Sequence, residues 1–342
     1  MQAVILKCPP RAQFHFGKIA LDVDTSLDET EVVIHSDTLF SAIIVTVDKI
    51  FPKESNSFVQ YFREGKIRIS SAFHCFEKSQ DDYVWFLPKP AHYNVLEKPV
   101  DNEDRKWLGR VQFVSKRVWE LGLKPSEWND DCVILQKEFV LHKDELPGWN
   151  AAKIGKLEVY QTHSLPKVSI HKPSKEDSIY FQTNVLLAAN AKVAGAPKIH
   201  YYFLLDTPGL PEPALTKLKT VLAVIADAGI GGERSVGCGR LEGVDFQDFS
   251  MNVSGNGALA SVSLINPAEG EMNLLKSWEL VTRGGRQTEK DGKLKRVKML
   301  SEGALLAGEV AGRLVSVANG NTAYLRNGKG FSLPVHQNAL PA

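Results

Sequence analysis

The sequence is short of nearly everything that would announce an activity. Net charge is almost absent: 41 Lys and Arg stand against 40 Asp and Glu over 342 residues, leaving +1. No chain-wide attraction to nucleic acid or a membrane surface follows, so an anion site must come from local clustering. Cysteine is scarce as well. Cys8, Cys75, Cys132 and Cys238 form no C-x-x-C pair, which excludes a zinc module and a disulfide framework and fits a reducing cytoplasm. No apolar stretch approaches the roughly 20 residues of a membrane helix, and no membrane is expected. The opening MQAVILKCPP closes its short apolar run with two prolines and has no cleavage pattern; it is expected to be a first strand, not a signal peptide. Catalytic signatures are thin. The nine histidines include no H-x-x-x-H pair, and no G-x-S-x-G motif occurs. Asp22-x-Asp24 lacks the glycine of an EF-hand loop and is read as a solvated acidic turn. Neither metal nor cofactor is expected.

What is present is the composition of a globular protein. A hydrophobic share of 43% and a charged share of 24% permit a sizeable core and exclude whole-chain disorder. Residues 3–7 are strand-like, and Phe14-His15-Phe16 can extend that strand. Ser36 or Asp37 can cap a helix whose apolar face is Leu39, Phe40, Ile43, Ile44, Val47 and Ile50, ended by Pro52. A second short helix is expected over 58–64, stopped by Gly65. Strands are expected over 66–76 and 83–87, broken by Pro88-Lys89-Pro90. The mixed-charge stretch 101–123 has helical character. Strands at 166–170, 178–187 and 199–205 precede a helix with Leu215, Leu218, Val221, Leu222 and Ile225 on one face. A glycine-rich loop, a strand over 240–246 and a β-rich tail follow. Strands and helices mixed in both halves predict an α+β protein of two domains, 1–155 and 156–342.

The loop at 229–240, GIGGERSVGCGR, is the most unusual stretch. It holds Gly229, Gly231, Gly232, Gly237 and Gly239 with Arg234, Ser235 and Arg240. Such glycines permit positive φ and close approach, so amide N–H groups can face a phosphate. It is not a P-loop, because Gly232-x-x-x-x-Gly237 is followed by Cys238-Gly239. A dinucleotide fingerprint fails too, its third glycine falling at Arg234. Both motifs run strand–loop–helix, whereas this loop runs helix–loop–strand. A surface turn is the plain alternative; five glycines with two arginines favour a phosphate backbone. Residues 283–298 carry Arg283, Arg286, Lys290, Lys293, Lys295, Arg296 and Lys298 against Glu289 and Asp291, seven against two, a local +5. That suits a solvated hairpin or a polyanion contact equally. Alternation places Lys167, Ser169 and His171 on one strand face, either a polar exterior or a surface for RNA. His35, at a helix start, is placed to act as acid or base or to serve structure.

Five segments occur in a telling order: His35-Ser-Asp-Thr-Leu-Phe-Ser-Ala42, Phe86-Leu-Pro-Lys-Pro90, Lys167-Val-Ser-Ile-His171, the glycine loop, and Tyr324-Leu-Arg-Asn-Gly-Lys-Gly-Phe-Ser-Leu-Pro-Val335. Together they resemble the RAMP superfamily of CRISPR proteins, most closely the subunit-four family of the type III-A (Csm) effector complex. The resemblance implies two ferredoxin-like (RRM-like) domains with antiparallel sheets, the glycine loop lying between the last helix and last strand of the second. It implies a non-catalytic subunit that caps the complex and holds the 5′ handle of the CRISPR RNA. The subunit would touch target RNA only indirectly. It would meet the large Palm-domain (cyclase) subunit and the neighbouring backbone RAMP subunit. RNA-binding positions implied are His35, Ser36, Thr38, Lys89, Lys167, His171, Lys172, the loop residues Gly229, Gly231, Gly232, Arg234, Ser235, Gly237, Gly239 and Arg240, and Arg283 and Arg286. Where many relatives read Arg-x-x-Ile-Asp-Arg, this chain has Lys167-Val-Ser-Ile-His171-Lys172, which keeps basic character at 167 and 172. Two other classes stand beside this one: a metal-independent endoribonuclease using His35 or His171 on precursor CRISPR RNA, and a pure protein-interaction module.

Overall fold

The computed structural model describes residues 1–18, 28–93, 102–146, 148–169, 178–187, 197–255, 257–285, 294–318 and 324–340. Strand β1 (Gln2–Lys7) lies deep inside it, its residues Ala3 to Leu6 almost wholly buried. A strand apolar on both faces must be covered on both faces, and the uninterrupted Ala-Val-Ile-Leu run meets that condition. Strand β2 (Gln13–Phe14) follows, then helix α1 (Ser36–Ile50) and helix α2 (Ser55–Arg63). Next come β3 (Arg68–Ile69), β4 (Phe73–Ser79) and β5 (Asp82–Pro88). The stretch expected to be helical divides into α3 (Asn102–Arg110), β6 (Phe113–Ser115) and α4 (Lys116–Leu121). Strands β7 (Cys132–Leu135) and β8 (Phe139–His142) lead to a long hairpin, β9 (Tyr160–Ser169) and β10 (Ser178–Leu187). Then follow β11 (Lys198–Asp206), α5 (Glu212–Ala228) and β12 (Gly243–Asp248).

The largest sheet runs β12-β1-β11-β4-β5-β6-β8-β7, with β3 beside β11. Within it β1, α1, β4, β11, α5 and β12 form a β-α-β-β-α-β unit. Its first strand sits between the last and the third, all pairs antiparallel. That is a ferredoxin-like arrangement, and it spans both sides of residue 155. The division expected there does not coincide with a sheet boundary, and the glycine loop belongs to the unit that β1 opens. The reason lies in β11: its apolar run 199–205 is buried only between two other strands, and β1 and β4 supply them. The residues between β4 and β11 are an insertion carrying β5 to β10.

Other expectations shift for similar reasons. Phe14 does not prolong β1; Gln13 and Phe14 pair with Leu186 and Val185 in a separate sheet, β2-β10-β9. His35, not Ser36 or Asp37, is the residue before α1, and its carbonyl accepts the amides of Thr38 and Leu39 at 2.9 and 3.1 Å. Ser36 and Asp37 lie inside the first turn, fully buried. The tail builds a small sheet of β14 (Leu275–Ser277), β17 (Leu305–Leu306), β13 (Leu259–Ser261) and β20 (Ser332–Pro334). Two ribbons flank it, β15 (Leu280–Arg283) with β16 (Val297–Leu300) and β18 (Gly312–Ser316) with β19 (Leu325–Lys329). The four cysteines are buried and free. No helix among the described residues is long and apolar enough to cross a membrane.

Candidate nucleic-acid interface

The glycine loop is anchored at its base and open at its tip. Gly232 donates its amide to the His15 carbonyl at 2.9 Å, Gly239 to Gln13 at 2.7 Å, and Ile230 to Gly239 at 3.0 Å. The first two bonds fasten the loop to β2 and to His15 just after it, so the amides of Gly232 and Gly239 serve the fold. At its tip a short 3-10 turn, Arg234–Val236, leaves Arg234, Ser235, Val236 and Gly237 exposed, as is Arg240 beyond it. The glycines differ in what they permit. At Gly239, φ is +79° and a Cβ would meet the Ile230 carbonyl oxygen at 2.2 Å; at Gly231 it would meet that of His15 at 2.8 Å. Gly237 has φ +94° but faces open space. Gly239→Ala is therefore expected to cost about 2–4 kcal/mol of folding stability, and Gly237→Ala about 1–2 kcal/mol from its backbone angle alone. Denaturant melts of the two variants check this ranking, and a reversed order would refute it.

The start of α1 is locked to the tail of the chain. Asp37 accepts from Arg283 Nε at 3.0 Å and Nη2 at 3.1 Å, and also from Arg326 Nη1. Burial would raise the Asp37 carboxyl, but the two guanidinium groups prevail and hold it well below the usual range. Arg283 Nη2 also donates to the Thr38 hydroxyl at 3.2 Å. Beside this triad, His35 Nδ1 lies 2.8 Å from Glu302, which also accepts from the Ser71 hydroxyl. Burial acts to raise Glu302; His35 and Ser71 outweigh it and keep the group ionised. Ser36 donates its amide to Ser71 Oγ at 2.9 Å, and its own hydroxyl accepts the Leu264 amide at 3.1 Å.

These two features enclose a groove of about 370 Å³. His35, Thr38, Gly229, Gly231, Gly232, Arg234 and Arg283 all line it, together with His15, Phe16 and Lys49. The structure thus gathers seven of the expected positions, drawn from three distant segments. Arg283 takes part mainly as a buried partner of Asp37, not as a free cation as the basic run suggested. Ser36 is wholly buried and holds the fold. Lys89 stands apart in a neighbouring groove of about 340 Å³ with Lys18 and Glu279. Its ammonium donates to the Leu108 carbonyl, and burial pushes it down to about 8. Lys167 pairs across the hairpin with Tyr180 and acts on the loop through space: burial raises the Cys238 thiol, Glu233 adds to this, and Lys167 opposes it. His171, Lys172, Arg286 and the Asp22–Asp24 turn lie outside the described residues.

Sequence reasoning missed Glu302 and His15. Arg326 lay inside a quoted motif without a role, and its signal was a cation with no carboxylate nearby in sequence. The hairpin adds another unforeseen feature. Val168 and Ile179 are directly opposite, with Phe181 two residues on, on one face, and all three are more than half exposed.

Residues 256–335 match the model of the CRISPR Csm4 C-terminal domain. A curated relative, the CRISPR system protein Csm4 of Methanocaldococcus jannaschii, is 26% identical over 274 residues, 73% of this chain and 67% of the relative. The fold resembles that of a crystal structure of a Csm3–Csm4 subcomplex from a type III-A interference complex. The TM-score is 0.71 at 20% identity, covering 98% of this chain and 100% of that one. A Csm1–Csm4 cassette bound to cA4 matches at a TM-score of 0.58 and 19% identity, over 98% of each chain. The C-terminal domain, the curated relative and the whole-chain fold agree in making this chain similar to Csm4 proteins.

Proposed function

We propose that this chain is a non-catalytic RNA-binding subunit of a type III-A CRISPR effector, which caps the assembly and holds the 5′ handle of the CRISPR RNA. One observation carries the reading: a loop fastened at its base presents Arg234, Ser235 and Arg240 beside an open groove. Rigid placement matters, because a positioned guanidinium loses little freedom when it takes a phosphate. The apolar stripe of Val168, Ile179 and Phe181 fits a chain that buries surface in an assembly or beneath unstacked bases. The names of the similar structures, with Csm3 and Csm1, favour a backbone RAMP subunit and the large Palm-domain subunit as neighbours.

Charge-assisted bonds are worth about 1.5–3 kcal/mol, so Arg234→Ala or Arg240→Ala should each weaken binding of repeat RNA roughly 10- to 150-fold. The salt dependence should also flatten by about one phosphate contact per arginine. Binding measured across a salt series, with melting curves alongside, decides it. Unchanged affinity and slope in a folded double variant would remove the loop from the interface.

A second reading is favoured by one feature, the carboxylate of Glu302 orienting His35, which is how a general base is held. A metal-independent ribonuclease would convert repeat RNA to product in EDTA, and His35→Ala would abolish it. The RNA is expected to stay intact.

A further inference from the structure

His35 has a capacity that the protein leaves unused. Its side chain is 8% exposed and lines both grooves, which also share Glu31 and Val33. Glu302 lines only the second groove and takes the Nδ1 edge of the ring. A carboxylate accepts at Nδ1, and in the tautomer that donates there Nε2 is an acceptor. Nε2 is buried and has no hydrogen-bond partner among the described residues. His35 itself lines the groove that holds Thr38, Arg283 and the glycine loop. A buried acceptor without a donor is costly, which points to a ligand that brings a hydroxyl or amine.

We infer that His35 accepts a hydrogen bond from a ribose 2′-hydroxyl and thereby makes the groove selective for RNA over DNA. This rests on the RNA-binding reading above. Of the groups a sugar–phosphate backbone offers, phosphates only accept, whereas the 2′-hydroxyl can donate and is the group DNA lacks. Glu302 is the positioning residue that fixes which nitrogen accepts. The arginines at the tip then supply affinity, and His35 supplies the choice of sugar.

The test uses the full chain with three probes: single-stranded repeat RNA, its all-DNA counterpart, and RNAs with one 2′-deoxy substitution at each position in turn. One deoxy position is expected to lose roughly 3- to 10-fold in affinity, the range of one net hydrogen bond. His35→Phe should erase that difference while leaving the Arg234 effect in place. Glu302→Gln, which frees the tautomer, should narrow it. If His35→Phe does not fold, the deoxy scan on the unaltered protein still decides. Equal binding of RNA and DNA, with no sensitive position, overturns the inference and leaves nucleic-acid binding standing. Failure to bind any of the probes removes the reading on which it rests. RNA cleavage in EDTA that depends on His35 would also overturn it, since the histidine would then take the proton.

Discussion

Asp37→Ala is expected to destabilise the protein by about 3–5 kcal/mol, since it leaves the buried Arg283 and the largely enclosed Arg326 without their carboxylate. Arg283 and Arg326 converge on Asp37 from β15 and β19, and Asp37 itself is wholly enclosed. The first turn of α1 is thereby tied to residues more than 240 positions away. Asp37→Asn should cost less, because an amide keeps one acceptor oxygen. The acid behaviour follows with a definite sign. The folded carboxyl lies below its ordinary value of about 3.9, so its contribution is present above that pH and lost as pH falls through the folded value. Denaturant unfolding of the two variants at neutral pH measures the effect. A loss below 1 kcal/mol for Asp37→Ala would mean that water reaches the site. The groove should suffer with the lock, since Arg283 and Thr38 line it.

A second large effect is expected in mild acid. His74 is buried among aromatic rings, stacked on Tyr160 at 5.7 Å and 16° and tilted against Tyr201 at 4.8 Å, with Phe113 and Phe139 at its edges. Neither ring nitrogen has a hydrogen-bond partner among the described residues. Burial pushes its imidazole down to about 3. The unfolded chain takes up this proton near pH 6.5, while the folded chain resists it until about pH 3. Between those values the unfolded state binds more protons, so stability falls as pH falls, by about 1.4 kcal/mol per unit and about 4–5 kcal/mol in all. His92, His142 and His200 are also depressed, chiefly by burial, and act in the same direction. His74→Phe keeps a ring of similar size and removes one proton from the linkage. Its stability should fall less steeply between pH 6.5 and 4 and lie above that of the parent at pH 5. An unaltered slope would mean that His74 can protonate in place.

Much of the local structure was legible. The apolar face of α1, the strands on either side of the hairpin turn and the order helix–glycine loop–strand were all written in periodicity and turn chemistry, which act over a few residues. So was the loop's unusual composition, five glycines and two arginines in one short segment. The resemblance to a RAMP protein rested on the same short segments.

Tertiary structure decided the rest. That β11 lies between β1 and β4, and so carries the glycine loop into the unit opened by the first strand, depends on burying an apolar run on both faces, which no local pattern encodes. Along the sequence Arg283 stands in a block of like charges and looks free, whereas in space it faces Asp37. Likewise His35 has no acidic neighbour in sequence, yet Glu302 orients it across 267 positions. Periodicity reports on neighbours along the chain, but charge and desolvation act through space. The sequence therefore named residues that the fold brings to one groove, and only the packed fold decided which of their charges are paired within the protein.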